Sequence, residues 1–287
     1  MSEEIVAVPL TRRRLVKASL GVGFCAAISP VIAQVTTTPA DGLLVGEVKV
    51  RAGDVDIPAY RAMPDRGGPF PTVLVVHEAF GVHEHIKDIC RRFARLGYYA
   101  ISPELFARQG DAAAEPNMSK LMATIVYKKP DSEAAGDLDA TLAFAESTGS
   151  ADAGRAAVVG FCWGGRQVWL YAGHNPALKA AVAWYGPLLW RVLQPTTVAR
   201  AERDPPDVVG DLRVPVLGLY GGTDSFISLA QIEMMKAKLA AAGAESKIIV
   251  YSDGGHGFFA DYRPSYNRAD AEASWSEATR WLKEHGV

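Results

Sequence analysis

The spacing of apolar residues switches along the chain between the period of a strand and that of a helix. Residues 43–50 and 55–63 each alternate between apolar and polar side chains, and Ala52-Gly53-Asp54 lies between them. This pattern predicts a β-hairpin at the edge of a sheet. Residues 72–76 form a continuous apolar run rich in β-branched side chains, which is typical of a strand buried on both faces.

Further along the chain, short apolar runs alternate with longer amphipathic segments. Strands are predicted at residues 98–101, 156–159, 180–184, 214–220 and 247–251, and helices at residues 85–96, 132–146, 165–173, 229–242 and 268–284. This alternation predicts a single α/β domain over residues 43–287, with a mostly parallel central sheet and helices on both faces. Residues 188–211, which contain several prolines, are a candidate lid or substrate-facing loop.

A cysteine flanked by glycines follows the predicted strand at residues 156–159. Gly160, Cys162 and Gly164 have the spacing G-x-C-x-G, and a helix is predicted to begin directly afterwards. This is the nucleophile elbow of the α/β-hydrolase fold, with a thiol in place of the usual hydroxyl. Side chains at the two glycine positions would collide in so tight a turn, and a helix N-terminus favours a thiolate. The alternative is a structural cysteine buried in a glycine-rich turn.

Two further polar residues follow predicted strands. In a parallel sheet the active site lies at the carboxyl ends of the strands. Asp224 comes after the strand that ends at Tyr220, and His256 comes after the strand that ends at Tyr251. The chain order Cys162, Asp224, His256 is the order of nucleophile, acid and base in this fold. Each residue alone has an ordinary explanation, as a helix cap or a loop histidine, but their joint occurrence favours a catalytic triad.

The first 33 residues have the composition of an export signal. Arg12 and Arg13 precede an apolar stretch over residues 18–33 that glycines and a proline interrupt. This pattern predicts a twin-arginine signal peptide cleaved after Ala33, followed by a linker over residues 34–42. The expected location is periplasmic or secreted, without a stable membrane anchor after cleavage. A retained N-terminal anchor is the alternative.

Composition narrows the range of partners. The net charge is −2, and the 22% of residues that are charged are mixed in sign, so nucleic acid is not an expected partner. Cys25 lies in the predicted signal, and Cys90 lies in an amphipathic stretch where a small buried residue is expected. The cysteines and histidines do not have the spacing of a zinc site.

The loop after residues 72–76 reads His77-Glu78-Ala79-Phe80-Gly81. In α/β-hydrolases this loop supplies one N–H of the oxyanion hole, here that of Ala79, and the residue after the nucleophile, Trp163, supplies the other. A carboxylate beside a developing oxyanion is unfavourable, so Glu78 is expected to have another partner.

Together these motifs make the chain resemble the dienelactone hydrolase family. The resemblance runs from about residue 43 to the C-terminus and rests on His77-Glu78-Ala79-Phe80-Gly81, Pro103-Glu104-Leu105-Phe106-Ala107-Arg108, Gly160-Phe161-Cys162-Trp163-Gly164-Gly165, Asp224 and Gly255-His256-Gly257-Phe258. It implies a Cys-His-Asp triad that hydrolyses an enol lactone to a linear dicarboxylic acid, which is carboxymethylenebutenolidase activity, with no metal or cofactor. It also implies that Glu78 pairs with the resting thiol and helps to remove its proton when substrate displaces it.

The resemblance also implies how the substrate is held. Arg108 would bind a substrate carboxylate, and the alternative for Arg108 is a surface ion pair with Glu104 or Asp111. A second arginine, expected four residues after the histidine, is Ala260 here, and Arg263 either substitutes for it or is structural. Phe258 is a further candidate substrate contact. The expected partner is a small-molecule ester or lactone that carries a carboxylate.

The residue chemistry predicts a thioacyl-enzyme in which His256, oriented by Asp224, first protonates the leaving oxygen and later activates water. A broader carboxylesterase or a peptidase with the same triad stays open, because residue order does not separate leaving groups. A binding protein on this fold would have lost triad members, and a thiol redox protein would need a second cysteine beside Cys162. All three triad members are present and no second cysteine lies beside Cys162, so a non-catalytic periplasmic binding protein stays as the less favoured alternative.

Overall fold

The predicted hairpin forms one edge of the sheet. The structure, a computed structural model, describes residues 36–194 and 203–287. In it β1 (Leu43–Ala52) pairs antiparallel with β2 (Val55–Pro64), and Gly53 takes a left-handed φ of 62° in the turn between them. Only a residue without a Cβ adopts that conformation at little cost, which explains the glycine at the turn.

Six further strands complete an eight-stranded sheet. They are β3 (Phe70–Val76), β4 (Tyr99–Pro103), β5 (Ala151–Phe161), β6 (Ala180–Trp184), β7 (Val216–Gly221) and β8 (Lys247–Tyr251). The order across the sheet is β1-β2-β4-β3-β5-β6-β7-β8, and every pairing from β4 onward is parallel. The predicted α/β-hydrolase fold, a single domain built on a mostly parallel sheet, is confirmed.

Six α-helices flank the sheet in the described residues. They are α1 (Glu84–Arg95), α2 (Met118–Thr124), α3 (Asp131–Ser147), α4 (Trp163–His174), α5 (Leu229–Ala241) and α6 (Arg268–Glu284). All but α2 agree with predicted helices to within two residues at each end. The short helix α2 has no long periodic pattern to reveal it, although the side chain of Asn117 caps it by accepting the N–H of Lys120.

The helices form two layers. On one face α3 contacts α4, and on the other α1 meets α6 through the rings of Phe93 and Trp275, whose centroids are 4.6 Å apart. The central strands between these layers are buried throughout, with every residue of β4, β6 and β7 buried. Continuous apolar runs are expected for strands that are covered on both faces.

The strand register brings the site residues together. Val76 at the end of β3 pairs with Gly160 of β5, and Phe161 pairs with Trp184 at the end of β6. Gly221 at the end of β7 pairs with Tyr251 at the end of β8. The loops that follow these strands therefore start at one edge of the sheet, as the strand-end rule requires.

The described part of the predicted linker, residues 36–42, lies against the domain. The N–H of Thr36 donates to Asp261 and that of Thr38 donates to Asp88, and Arg95 donates to the carbonyl of Pro39. The predicted signal peptide, residues 1–33, lies outside the described residues. None of the helices within 36–194 and 203–287 is long and apolar enough to cross a bilayer.

The segment 188–211, expected to form a lid or substrate-facing loop, is described on either side of residues 195–202. Leu188 and Trp190 are buried, and the two short 3₁₀ turns Pro205–Asp207 and Val209–Asp211 follow. The carboxylate of Asp204 accepts the N–H groups of Trp190 and Arg191, which closes the two described ends on one another. The lid itself stays a prediction, because residues 195–202 lie outside the described part.

Candidate active site

Cys162 lies in a strained turn between β5 and α4. Its φ of 53° and ψ of −120° are rare for a residue with a side chain. A Cβ on Gly160 would approach the carbonyl oxygen of Gly164 to 2.5 Å, and a Cβ on Gly164 would approach those of Val76 and His77 to 2.4 Å. The predicted steric role of the two glycines is confirmed. The turn holds the thiol at the N-terminus of α4.

The three triad candidates form one hydrogen-bonded series. His256 Nδ1 is 2.9 Å from Oδ2 of Asp224, and His256 Nε2 is 3.2 Å from Sγ of Cys162. Cys162 is fully buried, and His256 and Asp224 are 3% and 7% exposed. The structure thus brings together three residues that the sequence places at the ends of three different strands.

The charge of His256 depends on its two partners. Burial alone would lower its pKa, but the Asp224 carboxylate and the sulfur of Cys162 outweigh burial and raise the pKa of His256 to about 10. Asp224 is in turn oriented by the N–H groups of Phe226 and Ile227, which donate to its Oδ1 at 2.7 and 2.9 Å. The alternative of a helix cap is wrong for Asp224, because Ser228 caps α5 and Asp224 accepts N–H groups of the turn before it.

The residues expected to supply the oxyanion N–H groups, Ala79 and Trp163, lie on two segments that meet at the turn around Cys162. Trp163 is the first residue of α4, so its N–H has no partner within the helix. Ala79 is fully buried just beyond β3, whose end packs directly on Gly164. The ring of Trp163 stacks on that of His77, with centroids 5.6 Å apart. These contacts bring the loop after β3 and the start of α4 together beside the thiol.

Glu78 is fully buried, and its partners differ from the expected one. Its carboxylate accepts from Nη2 of Arg263 at 3.1 Å and from the hydroxyl of Tyr262. Burial alone would raise the pKa of Glu78, but Arg263 and His83 hold it below its ordinary value. The expectation that Glu78 pairs with the resting thiol is therefore corrected, because the sulfur of Cys162 bonds to His256 and the carboxylate bonds to a buried cation.

A second cluster of hydrogen-bonded ionisable side chains is centred on Asp261. His85 Nδ1 is 2.9 Å from Oδ1 of Asp261, and Arg92 donates to the other carboxylate oxygen at 2.9 Å. Burial alone would raise the pKa of Asp261, but His85, the N–H of Thr36 and Arg92 hold it low. Asp261 immediately precedes Tyr262, so this network ties the loop after His256 to α1 and to the N-terminal segment.

Arg108 is held by a carboxylate of α3 and by a carbonyl of β1. Its Nη1 lies 2.8 Å from both carboxylate oxygens of Asp137, and its Nη2 donates to the carbonyl of Ala52 at 2.8 Å. Lys129 also donates to Asp137, at 2.6 Å. The guanidinium of Arg108 holds the loop after β4 against α3 and β1, and its expected contact with a substrate carboxylate stays a prediction. The alternative partners, Glu104 and Asp111, were wrong.

Arg263 and Phe258 both lie close to the triad candidates. Arg263 is 2% exposed, and its guanidinium packs over the ring of Phe80, 5.2 Å from the centroid, in addition to pairing with Glu78. Phe258 is fully buried, and its ring centroid lies 5.5 Å from that of Tyr185. Of the two arginines considered for a substrate carboxylate, only Arg263 is brought into the cluster around Glu78.

Sequence reasoning missed Tyr262 and Tyr185. Tyr262 has no local signal, because its bond to Glu78 crosses most of the chain. Tyr185 directly follows β6, so the inspection of strand ends that found Asp224 and His256 would also have found it. Among the residues that the structure covers, no group of three or more histidine, cysteine or acidic side chains is arranged to hold a metal ion.

Comparisons with known proteins point to one family. The model of the dienelactone hydrolase family matches residues 57–286. A Methylorubrum extorquens protein named "Putative carboxymethylenebutenolidase" is 52% identical over 279 residues, which cover 97% of this chain and 94% of that protein. An Escherichia coli K12 protein with the same name is 46% identical over 265 residues, covering 92% of this chain and 96% of that protein.

A solved structure is also similar. The crystal structure of a "Putative Dienelactone Hydrolase" from Klebsiella pneumoniae has a TM-score of 0.80 at 44% identity, covering 84% of this chain and 99% of that one. The matched region contains the elbow at Cys162, the loop at Glu78 and the loop at His256. The chain belongs to the dienelactone hydrolase family, whose members hydrolyse lactones and esters.

Proposed function

We propose that the protein hydrolyses lactones or activated esters through a thioacyl-enzyme formed on Cys162. The observation that carries this proposal is the hydrogen-bonded series from Asp224 through His256 to the sulfur of Cys162. Both neighbours favour the charged form of the His256 imidazole, whose Nε2 lies 3.2 Å from the sulfur and can take up the proton of Cys162. A thiolate is the reactive form of a cysteine nucleophile.

The reaction proceeds in two halves. The thiolate attacks the acyl carbon, and the resulting oxyanion accepts hydrogen bonds from the N–H groups of Ala79 and Trp163. His256 donates its proton to the leaving oxygen as the C–O bond breaks, which leaves a thioester on Cys162. Neutral His256 then takes a proton from water, hydroxide adds to the thioester, and the thiolate departs with the acid as product.

The substrate class follows from the nucleophile and the nearby cation. A thiolate is itself a good leaving group, so enol lactones and aryl esters, whose oxygens leave easily, are better substrates than amides. Burial alone would lower the pKa of Arg263, but Glu78, Tyr262 and Cys162 raise it, so the residue stays charged close to the sulfur. A substrate carboxylate would therefore meet Arg263.

A substrate panel tests the proposal. Purified protein is assayed on an enol lactone, dihydrocoumarin, 4-nitrophenyl acetate and a peptide anilide, and acid-quenched samples are analysed by intact mass and peptide mapping. We expect turnover of the lactones and the aryl ester, with an acyl adduct on Cys162. Cleavage of the anilide without the esters would favour a peptidase, and an adduct on another residue would overturn the assignment of the nucleophile.

We further propose export through the twin-arginine pathway, on the basis of Arg12 and Arg13 ahead of an apolar stretch. The test replaces both arginines with lysine in the full chain and compares periplasmic and cytoplasmic fractions. Uncleaved protein should accumulate in the cytoplasm, because the receptor reads the arginine pair. Undiminished recovery from the periplasm would remove this proposal and leave the catalytic one untouched.

A further inference from the structure

We propose that the hydroxyl of Tyr185 donates a hydrogen bond to an oxygen acceptor that the substrate carries near the scissile carbonyl. This inference rests on the hydrolase function proposed above and deepens it. The role differs from those of the triad and of the oxyanion donors. It makes Tyr185 a residue that selects substrates by an atom outside the reacting ester.

Tyr185 occupies a strained position next to the nucleophile. Its φ is 36°, and it shares a positive φ with only Cys162 among the non-glycine residues that the structure covers. Its N–H donates to the carbonyl of Leu219 at 2.8 Å, and the preceding carbonyl, that of Trp184, accepts the N–H of Cys162 at 3.0 Å. A hydrogen bond thus joins the strained residue Cys162 to Trp184, which directly precedes the strained residue Tyr185. Strain of this kind persists where neighbouring structure enforces it, often at functional sites.

The side chain of Tyr185 is fully buried against the triad. Its ring meets that of His256 edge to face, with centroids 5.3 Å apart, and it meets Phe258 at 5.5 Å. Yet its hydroxyl has no hydrogen-bond partner in the described part of the chain. Other buried tyrosines of this region do have one, since Tyr220 accepts from Trp169 and Tyr262 donates to Glu78. An unsatisfied buried hydroxyl is costly, so its retention needs an explanation.

The surroundings of the hydroxyl explain what it binds. The charged and titratable groups that act on it are Glu78, Arg263, Tyr262 and Cys162. Burial and then the Glu78 carboxylate raise the pKa of Tyr185 well above its usual value, so the phenol stays neutral and able to donate. A substrate oxygen that lies between the sulfur and the Glu78–Arg263 pair is near two hydrogen-bond donors, the hydroxyl of Tyr185 and the guanidinium of Arg263.

The sheet order places the backbone of Tyr185 on the side of Cys162 away from Ala79, because β6 and β3 flank β5 on opposite sides. The proposed acceptor is a second oxygen of the substrate, since the N–H groups of Ala79 and Trp163 already serve the oxyanion, and the chemical class is an ester or lactone with a carboxylate or carbonyl oxygen near the acyl carbon. An anionic acceptor gains most, because charge-assisted hydrogen bonds are the stronger ones.

The test compares Tyr185→Phe with a matched control, Tyr99→Phe. Tyr99 in β4 is also fully buried with an unpartnered hydroxyl, so each variant removes the same group, one beside the triad and one away from it. The substrates are 4-nitrophenyl hydrogen succinate, which carries a carboxylate, and 4-nitrophenyl acetate, which does not. For each variant kcat, KM and Tm are measured.

We expect Tyr185→Phe to lose about ten- to a hundredfold in kcat/KM on the succinate ester, mainly through KM, and less than about threefold on the acetate. Its Tm should stay equal or rise by about 2–4 °C, because an unsatisfied polar atom is removed. Tyr99→Phe should match the Tm behaviour and leave both activities unchanged. Equal losses on the two esters, no loss on either, or a fall in Tm with a parallel loss of activity would each overturn the inference.

Failure of the underlying function gives a different result. If the wild-type protein cleaves neither ester, or if Cys162→Ala cleaves both, the proposed hydrolase mechanism is wrong. If the wild-type protein cleaves both through Cys162 and Tyr185→Phe behaves like Tyr99→Phe, only the role of Tyr185 is wrong.

Discussion

Cys162 and Cys90 are both free thiols, and both are fully buried, yet their surroundings are opposite. Cys90 lies within α1, where burial raises the pKa of its thiol and outweighs the opposing effect of Arg91. Cys162 lies at a strained turn, at the start of a helix, with an imidazole 3.2 Å from its sulfur. Burial is therefore a poor guide to reactivity, and the neighbouring charge decides it.

The largest difference between the two cysteines should be in turnover. We expect Cys162→Ala to lose about four orders of magnitude or more in kcat on any ester that the wild-type protein cleaves, because the thioester cannot form. Cys90→Ala should keep kcat within about threefold. Circular dichroism of both variants serves as the control for folding. Near-normal turnover by Cys162→Ala would show that the nucleophile lies elsewhere.

Alkylation separates the thiols without any substrate. Iodoacetamide at neutral pH should modify Cys162 on the order of a hundredfold faster than Cys90, because only the thiolate reacts and burial suppresses it at Cys90. Peptide mapping at timed intervals gives the two rates. His256→Gln should narrow the gap by slowing only Cys162. Comparable rates at the two sites would contradict the contrast drawn between them.

A titration sharpens the contrast at the partner of the thiol. In the wild-type protein the ring of His256 should stay protonated through neutral pH and titrate near 10, because Asp224 and Cys162 both favour its charge. In Cys162→Ala one of these two effects is lost, so the pKa should fall toward the usual value for histidine. NMR of ¹⁵N-labelled protein follows the ring directly. Cys90→Ala is the control, and the same fall there would argue against a specific effect of the Cys162 sulfur on His256.

Arg263 and Arg108 are a second pair of like residues in different surroundings, and the expected effects of mutation are smaller. Arg263 is held beside Glu78 in the site, whereas Arg108 is held by Asp137. Arg108→Ala should lower the free energy of unfolding by about 1–3 kcal/mol, since it leaves a buried carboxylate with fewer partners. The ratio of kcat/KM values for an acidic and a neutral ester should change less than about threefold.

Denaturant titration and paired kinetics measure both quantities for Arg108→Ala. Arg108→Lys is the matched variant, because it keeps the charge and should recover part of the stability through Asp137. A selective loss on the acidic ester, with stability unchanged, would support the original expectation that Arg108 binds the substrate.

The strands, the principal helices and the place of the triad candidates could be predicted because their signals are local. Residues 247–251 show their strand in five consecutive side chains, and Gly160 and Gly164 mark the elbow around Cys162 within five positions. The short helix α2 escaped prediction because seven residues carry too little periodicity. Tyr185 escaped although it follows a correctly predicted strand, since nothing local shows that its hydroxyl lacks a partner.

The sequence by itself determined the order of elements and the candidates at the strand ends, because hydrophobic period and chain neighbours act over a few residues. Only the tertiary structure decided which charges meet. Glu78 and Arg263 are 185 positions apart, and Arg108 could have reached several carboxylates before packing selected Asp137. A buried ion pair depends on distance and desolvation, and these are set by how distant segments pack against one another.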